Sequence, residues 1–194
     1  VAEGGGICLP SVIATKFFGS LFTGDPNAGG AGRKSIHAAL EHSLRRLRTD
    51  YVDLYWMHCW DPYTPIDETM RALDDLVRAG KVRYVGVSDT PAWKVTQAQM
   101  LAHWKGWTPL VALQIEYSLL QRGVEREVIP ALKAHGMGLI AWSALGRGVL
   151  TGKYRAGIPA DSRAGNPLFA SFVQPYLGEV ARRVADATAT AADG

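Results

Sequence analysis

Leu139-Ile140-Ala141-Trp142-Ser143-Ala144-Leu145-Gly146-Arg147-Gly148-Val149-Leu150-Thr151-Gly152-Lys153-Tyr154 turns from an apolar run into a glycine-rich loop carrying one aromatic and two cations. The lead-in fits a strand covered on both faces, as in a parallel sheet. The glycines let backbone amides approach a phosphate that Arg147 or Lys153 can neutralise. A glycine-rich turn after a strand is by itself a common turn. Its weight here comes from the segments that precede it.

Four upstream runs have the same β-rich character: Val12–Phe17, Val52–His58, Val82–Asp89 and Val111–Tyr117. Each ends in a residue able to do chemistry, namely Lys16, His58, Ser88 with Asp89, and Gln114. Helical patterns fill the gaps. Ile36, Leu40, Leu44 and Leu47 share one face, with Arg45, Arg46 and Arg48 turned to solvent. A second helix has Thr64 as its expected cap, Pro65 in its first turn, Asp67 and Glu68 at its positive end, and Gly80 as terminator. A third is expected to begin at Asp89 or Thr90 with Pro91, and a fourth to run from near Val124 to Gly136 with Pro130 early in it.

Strand and helix alternating at about thirty residues per unit imply a parallel sheet, doubly wound or closed as a (β/α)8 barrel. Functional residues at several strand ends favour the barrel, whose active sites are assembled at the carboxyl ends of different strands. No Gly-x-Gly-x-x-Gly follows a first strand, which removes the best support for a Rossmann fold. Lys16 alone would read as a rim lysine, His58 as a structural histidine, Gln114 as a satisfied barrel residue and Trp142 as core. At successive strand ends they read together as a site.

The segments Ile13-Ala14-Thr15-Lys16-Phe17, Ser43–Leu47 leading into Asp50–Tyr55 and His58, Gly80–Ser88, Gln114–Tyr117 and Trp142–Tyr154 resemble the aldo/keto reductase family, in particular its bacterial and potassium-channel β-subunit-like branches. The resemblance implies a TIM barrel that reduces aldehydes or ketones with NADPH. It assigns Lys16 and His58 to catalysis: the lysine tunes the acidity of a tyrosine that protonates the carbonyl oxygen, and the histidine orients the carbonyl. It assigns Ser88, Asp89 and Gln114 to the nicotinamide carboxamide and Trp142 to stacking on the ring. Ser143, Ala144, Leu145, Gly146, Gly148 and Lys153 would wrap the pyrophosphate, and Arg163 would lie near the adenosine phosphate. Asp89 departs from the asparagine common at its position, and it accepts hydrogen bonds without donating.

The family's aspartate and tyrosine lie upstream of the lysine strand, yet residues 1 to 15 contain neither Asp nor Tyr. The resemblance therefore implies a family barrel shortened at both ends, with about five of eight units present, strands three to seven. Residues 1–11 are expected to be an atypical lead-in, 12–178 the partial oxidoreductase domain, and 179–194 a shortened helix whose tail frays from Ala189. The loss of those two residues implies impaired catalysis, with Tyr63 or Tyr154 as stand-in acids. A non-catalytic nucleotide-binding or interaction module of the same fold, or an inactive fragment, is the alternative. Open sheet edges imply self-association.

Composition sets bounds. With 47% hydrophobic and 20% charged residues, the chain has ordinary globular make-up, and a net charge of +3 is too mild and dispersed for nucleic acid. Cys8 and Cys59 have no paired spacing, which points to a reducing cytoplasm. Cys59 has no partners for a nucleophilic triad. His37, His42, His103 and His135 lack ligand spacing, and Asp61 near His58 has no companions for a metal site. No apolar run is long enough to span a membrane, and none has the form of a signal peptide.

Overall fold

Five parallel strands lie side by side in chain order: β1 (Ala14–Phe17), β2 (Val52–Met57), β3 (Val82–Ser88), β4 (Leu110–Glu116) and β5 (Gly138–Trp142). This computed structural model describes residues 11–25 and 27–192. Residues 1–10 of the expected lead-in, Cys8 among them, and the last two of the tail lie outside the described residues. Helices α1 (Arg33–Leu47), α2 (Ile66–Arg78), α3 (Ala92–Lys105) and α4 (Val128–Ala134) alternate with the strands. The pattern is that of five consecutive units of a (β/α)8 barrel.

The helical stripes behave as their spacing requires. Ile36, Leu40 and Leu44 of α1 and Ile66, Met70, Leu73 and Leu76 of α2 are buried in one core with Tyr55, Met57, Val85, Val87 and Leu113 of the sheet. Leu47, in the last turn of α1, stays exposed. Helix starts differ from expectation. Thr64 does not cap α2; its hydroxyl donates to Asp61 Oδ2 at 2.7 Å, and Pro65 takes the cap position with no side-chain bond. Thr90 likewise turns back to the Ser88 carbonyl, at 2.9 Å, ahead of α3. In both cases a short hydroxyl satisfies local backbone or loop groups in preference to the helix. The single helix expected from Val124 to Gly136 is split into a 3-10 turn over Gly123–Glu125 and α4, because Glu127 between them leaves helical geometry. Pro130 is the third residue of α4, where a missing N–H breaks no helical bond.

The chain falls into two units. The first runs to Ile115 and resumes over Glu127–Ile140; the second comprises Glu116–Arg126 and Ala141 onward. The second unit has a small core of its own from Val149, Tyr154, Ala164, Val173 and Ala181. It includes a short helix, α5 (Ala170–Val173), and a longer one, α6 (Glu179–Ala192). The tail expected to fray from Ala189 is helical through Ala192. Among the described residues, no helix is long and apolar enough to cross a membrane.

Candidate active site

Strand register in the first unit decides which side chains share a face. Lys16 pairs with Trp56, Trp56 with Gly86, and Gly86 with Ala112; the next row is Phe17, Met57, Val87 and Leu113. Side chains alternate along each strand. The Phe17 row is buried among the helices. The Lys16 row therefore faces the other way, and with it residues two positions further on: His58, Ser88 and Gln114. His58 follows the last residue of β2, but its N–H still donates to the Phe17 carbonyl at 3.1 Å, so its direction is set by the ladder.

The Lys16 ammonium donates to Gln114 Oε1. Their strands are separated by β2 and β3, about 14 Å on a flat sheet. Two side chains meeting over that span require the face to be concave. Gly86 serves the same geometry: a Cβ there would lie 2.5 Å from Cζ3 and 2.6 Å from Cε3 of Trp56. The Trp56 indole lies across the sheet against the Gly86 backbone, which leaves no room for a side chain. Sequence reading passed over this pair, although a glycine inside a strand pattern signals close approach.

At the strand ends, Ser88 Oγ is buried without a hydrogen-bond partner, and unpaired buried hydroxyls are uncommon in folded proteins. Asp89 beside it takes a left-handed φ of 44°, and its N–H donates to the Gln114 carbonyl at 3.0 Å. His58 is exposed. Burial, then the charge of Asp89, pushes the Cys59 thiol up, with Lys16 opposing; a raised thiol is a poor nucleophile at neutral pH.

The loop after His58 is anchored by Asp61. Its carboxylate accepts from the N–H of Ala31 at 2.9 Å, the N–H of Tyr63 at 2.9 Å and the Thr64 hydroxyl. Burial opposes its ionisation, but these bonds outweigh burial and hold its carboxyl below the usual range. Asp61 is a structural anchor. Four of the seven tyrosines are placed by a hydrogen bond or by exposure. Tyr55 donates to the Ile36 carbonyl, Tyr154 OH accepts from Ala164 N–H, Tyr117 donates to Glu125, and Tyr63 is 92% exposed. None of these hydroxyls is bonded to Lys16.

In the second unit, the Trp142–Tyr154 loop contains a 3-10 segment, Gly146–Thr151, broken where Gly146, Arg147 and Gly148 all have positive φ, at 56°, 56° and 93°. The loop borders a cavity of about 640 Å³ lined by Ser143, Ala144, Leu145, Arg147, Gly148, Thr151, Lys153 and Arg163. Gly146 is buried beside it. Of the two cations considered for phosphate, Arg147 is already engaged. Its Nε and Nη2 reach Glu116 Oε1 and Oε2 at 2.7 and 2.6 Å, and its Nη1 donates to the Phe172 carbonyl. Lys153 and Arg163 have no carboxylate partner among the described residues; each lies over a ring, Tyr154 and Phe169 respectively. Glu116, Phe172 and Tyr176, which enclose Arg147, were not singled out from sequence. The signal available was a lone acid two residues beyond Gln114.

The aldo/keto reductase family model matches residues 10–191. An aryl-alcohol dehydrogenase from Pestalotiopsis microspora is 45% identical over 142 residues, 71% of this chain and 37% of that protein. A norsolorinic acid reductase from Aspergillus flavus is 44% identical over 122 residues, 63% of this chain and 31% of that protein. The uncharacterized oxidoreductase YrpG of Bacillus subtilis is 42% identical over 157 residues, 78% of this chain and 48% of that protein. The chain thus spans about a third to a half of the length of these relatives.

Proposed function

Because the chain belongs to the aldo/keto reductase family, we propose that it carries the lysine and histidine end of an NADPH-dependent oxidoreductase site acting on aldehydes or ketones. The observation that carries this reading is the convergence of Lys16 and Gln114 on a concave strand-end face that also bears His58 and the unpartnered Ser88 hydroxyl. Names of relatives make aryl aldehydes the substrate class to test first.

Each unit, taken by itself, offers groups of the kind the cofactor needs. Ser88 has a buried hydroxyl in need of a partner, and Gln114, whose oxygen accepts from Lys16, keeps its amide N–H groups to donate. Asp89 accepts only, and so would take the carboxamide N–H. Trp142 supplies a ring for stacking. Ser143, Ala144, Leu145, Gly146 and Gly148 line or support the loop, with Lys153 and Arg163 as the cations for phosphate. NADPH, when bound, would supply the hydride. Lys16 places positive charge where negative charge develops on the carbonyl oxygen, and a His58 ring nitrogen gives that oxygen its proton. Cys59, a free thiol, suits a reducing cytoplasm.

Titration with NADPH, followed by tryptophan quenching, tests this reading. Saturable quenching is expected, weakened in Trp142→Ala and in the double variant Lys153→Met/Arg163→Met. Absence of saturable binding by the unaltered chain contradicts it.

A further inference from the structure

Arg147 is held more tightly than a surface loop residue has reason to be. It sits in left-handed backbone, a conformation a residue with a Cβ rarely adopts, between two glycines that also have positive φ. Its side chain and that of Glu116 are only 14% and 11% exposed. The guanidinium meets Glu116 through two parallel bonds and spends a third donor on the Phe172 carbonyl. Its Cζ lies 3.9 Å from the centroid of Phe172, 4.6 Å from that of Tyr176 and 5.8 Å from that of Trp142. Trp142 and Phe172 are themselves stacked, at 6.3 Å and 19°. Burial and then the negative charge of Glu116 push the Tyr176 hydroxyl up, so Tyr176 stays neutral beside the pair. One side chain thus touches the aromatic that opens the loop, the strand-end acid and the segment containing α5.

We propose that Arg147 and Glu116 form a latch that positions the nucleotide loop, with Arg147 acting through the backbone turn and Trp142 and not as a phosphate ligand. This rests on the nucleotide reading given above. The forked bond fixes Arg147, and Arg147 fixes the Gly146–Gly148 turn that borders the cavity. A ligand whose binding-competent loop is populated only in part binds more weakly by that fraction. Opening the latch therefore weakens the nucleotide without removing any group that touches it. Lysine cannot replace arginine here, because a point charge lacks both the fork and the flat face that lies over the rings.

The test uses the full chain and the variants Glu116→Gln, Arg147→Met, Arg147→Lys and Glu116→Gln/Arg147→Met, each titrated with NADPH below its own melting temperature. Each single variant is expected to raise the Kd at least about tenfold, and the double variant no further than the worse single, since both remove one device. Amide exchange is expected to quicken over residues 143–152 and not over α1 or α2. Asp186→Asn, which removes an exposed partner of Arg155 in the same unit, is expected to leave the Kd unchanged. Where Arg147→Met does not fold, Arg147→Lys and Glu116→Gln carry the comparison. Folded variants that bind with the unaltered Kd, or a double variant whose loss is the sum of both, overturn the latch alone. No saturable binding by the unaltered chain overturns the nucleotide reading and the latch with it.

Discussion

Lys16 on β1 gives a hydrogen bond to Gln114 on β4, with β2 and β3 lying between their strands. The bond ties the cation to a neutral acceptor on the facing strand. Replacing Gln114 by Leu removes a bond to a charged group, worth about 1.5–3 kcal/mol. The expected outcome is a fall of about ten- to a hundredfold in kcat/KM for aldehyde reduction with the fold intact. Steady-state kinetics beside circular dichroism check it.

Gly86 and Trp56 form the floor of the same face. Gly86→Ala places a methyl against the indole and is expected to destabilise the chain by about 1–3 kcal/mol. In a Trp56→Leu background, the same methyl should cost about 0.5 kcal/mol or less, because the clash has gone. Urea unfolding of the two single variants and the double variant measures the difference. Equal costs in both backgrounds would remove Trp56 as the cause.

His37, on α1, has a buried Nε2 with no partner. Burial first, then the charge of Arg33, pushes its protonation below the usual histidine range. The folded state therefore disfavours the proton relative to the unfolded state. Stability from this group is fully present above pH 6.5 and is lost as pH falls from there. The melting temperature is expected to drop between pH 7 and pH 5, and less so in His37→Met.

Asp61 behaves similarly at lower pH. Its depressed carboxyl contributes stability above the ordinary carboxylate pKa of about 4, which is lost as pH falls through its folded value. Asp61→Asn keeps the size but loses the charge that accepts from Ala31, Tyr63 and Thr64, at an expected cost of about 1–3 kcal/mol. Chemical unfolding at pH 7 reads this cost, and the pH dependence of stability below pH 4 should flatten in the variant.

Much of this architecture was legible because it rests on periodicity. Ile36, Leu40 and Leu44 had to face a core, and strand ends at Lys16, His58, Ser88 and Gln114 had to project together once the strands were parallel. Features that depend on a partner far along the chain were not legible. Thr64 and Thr90 look like caps, yet their hydroxyls are claimed by Asp61 and the Ser88 carbonyl. Arg147 looks like a phosphate cation until Glu116, 31 residues earlier, is seen to hold it. Competition for one donor is settled by tertiary structure, and local sequence carries no record of it.

The face bearing Lys16 and His58 is expected to support hydride transfer to a carbonyl. Single-turnover reaction of the chain with 4-nitrobenzaldehyde and NADPH carrying deuterium at C4, read by mass spectrometry of the alcohol, tests it most directly. With His58 as the acid on that face, turnover is expected to be about a hundredfold or more slower than where a tyrosine hydroxyl meets the lysine. Deuterium is nonetheless expected in the benzylic alcohol, and none in His58→Ala. An alcohol without deuterium, or undiminished transfer by folded His58→Ala, would contradict the account.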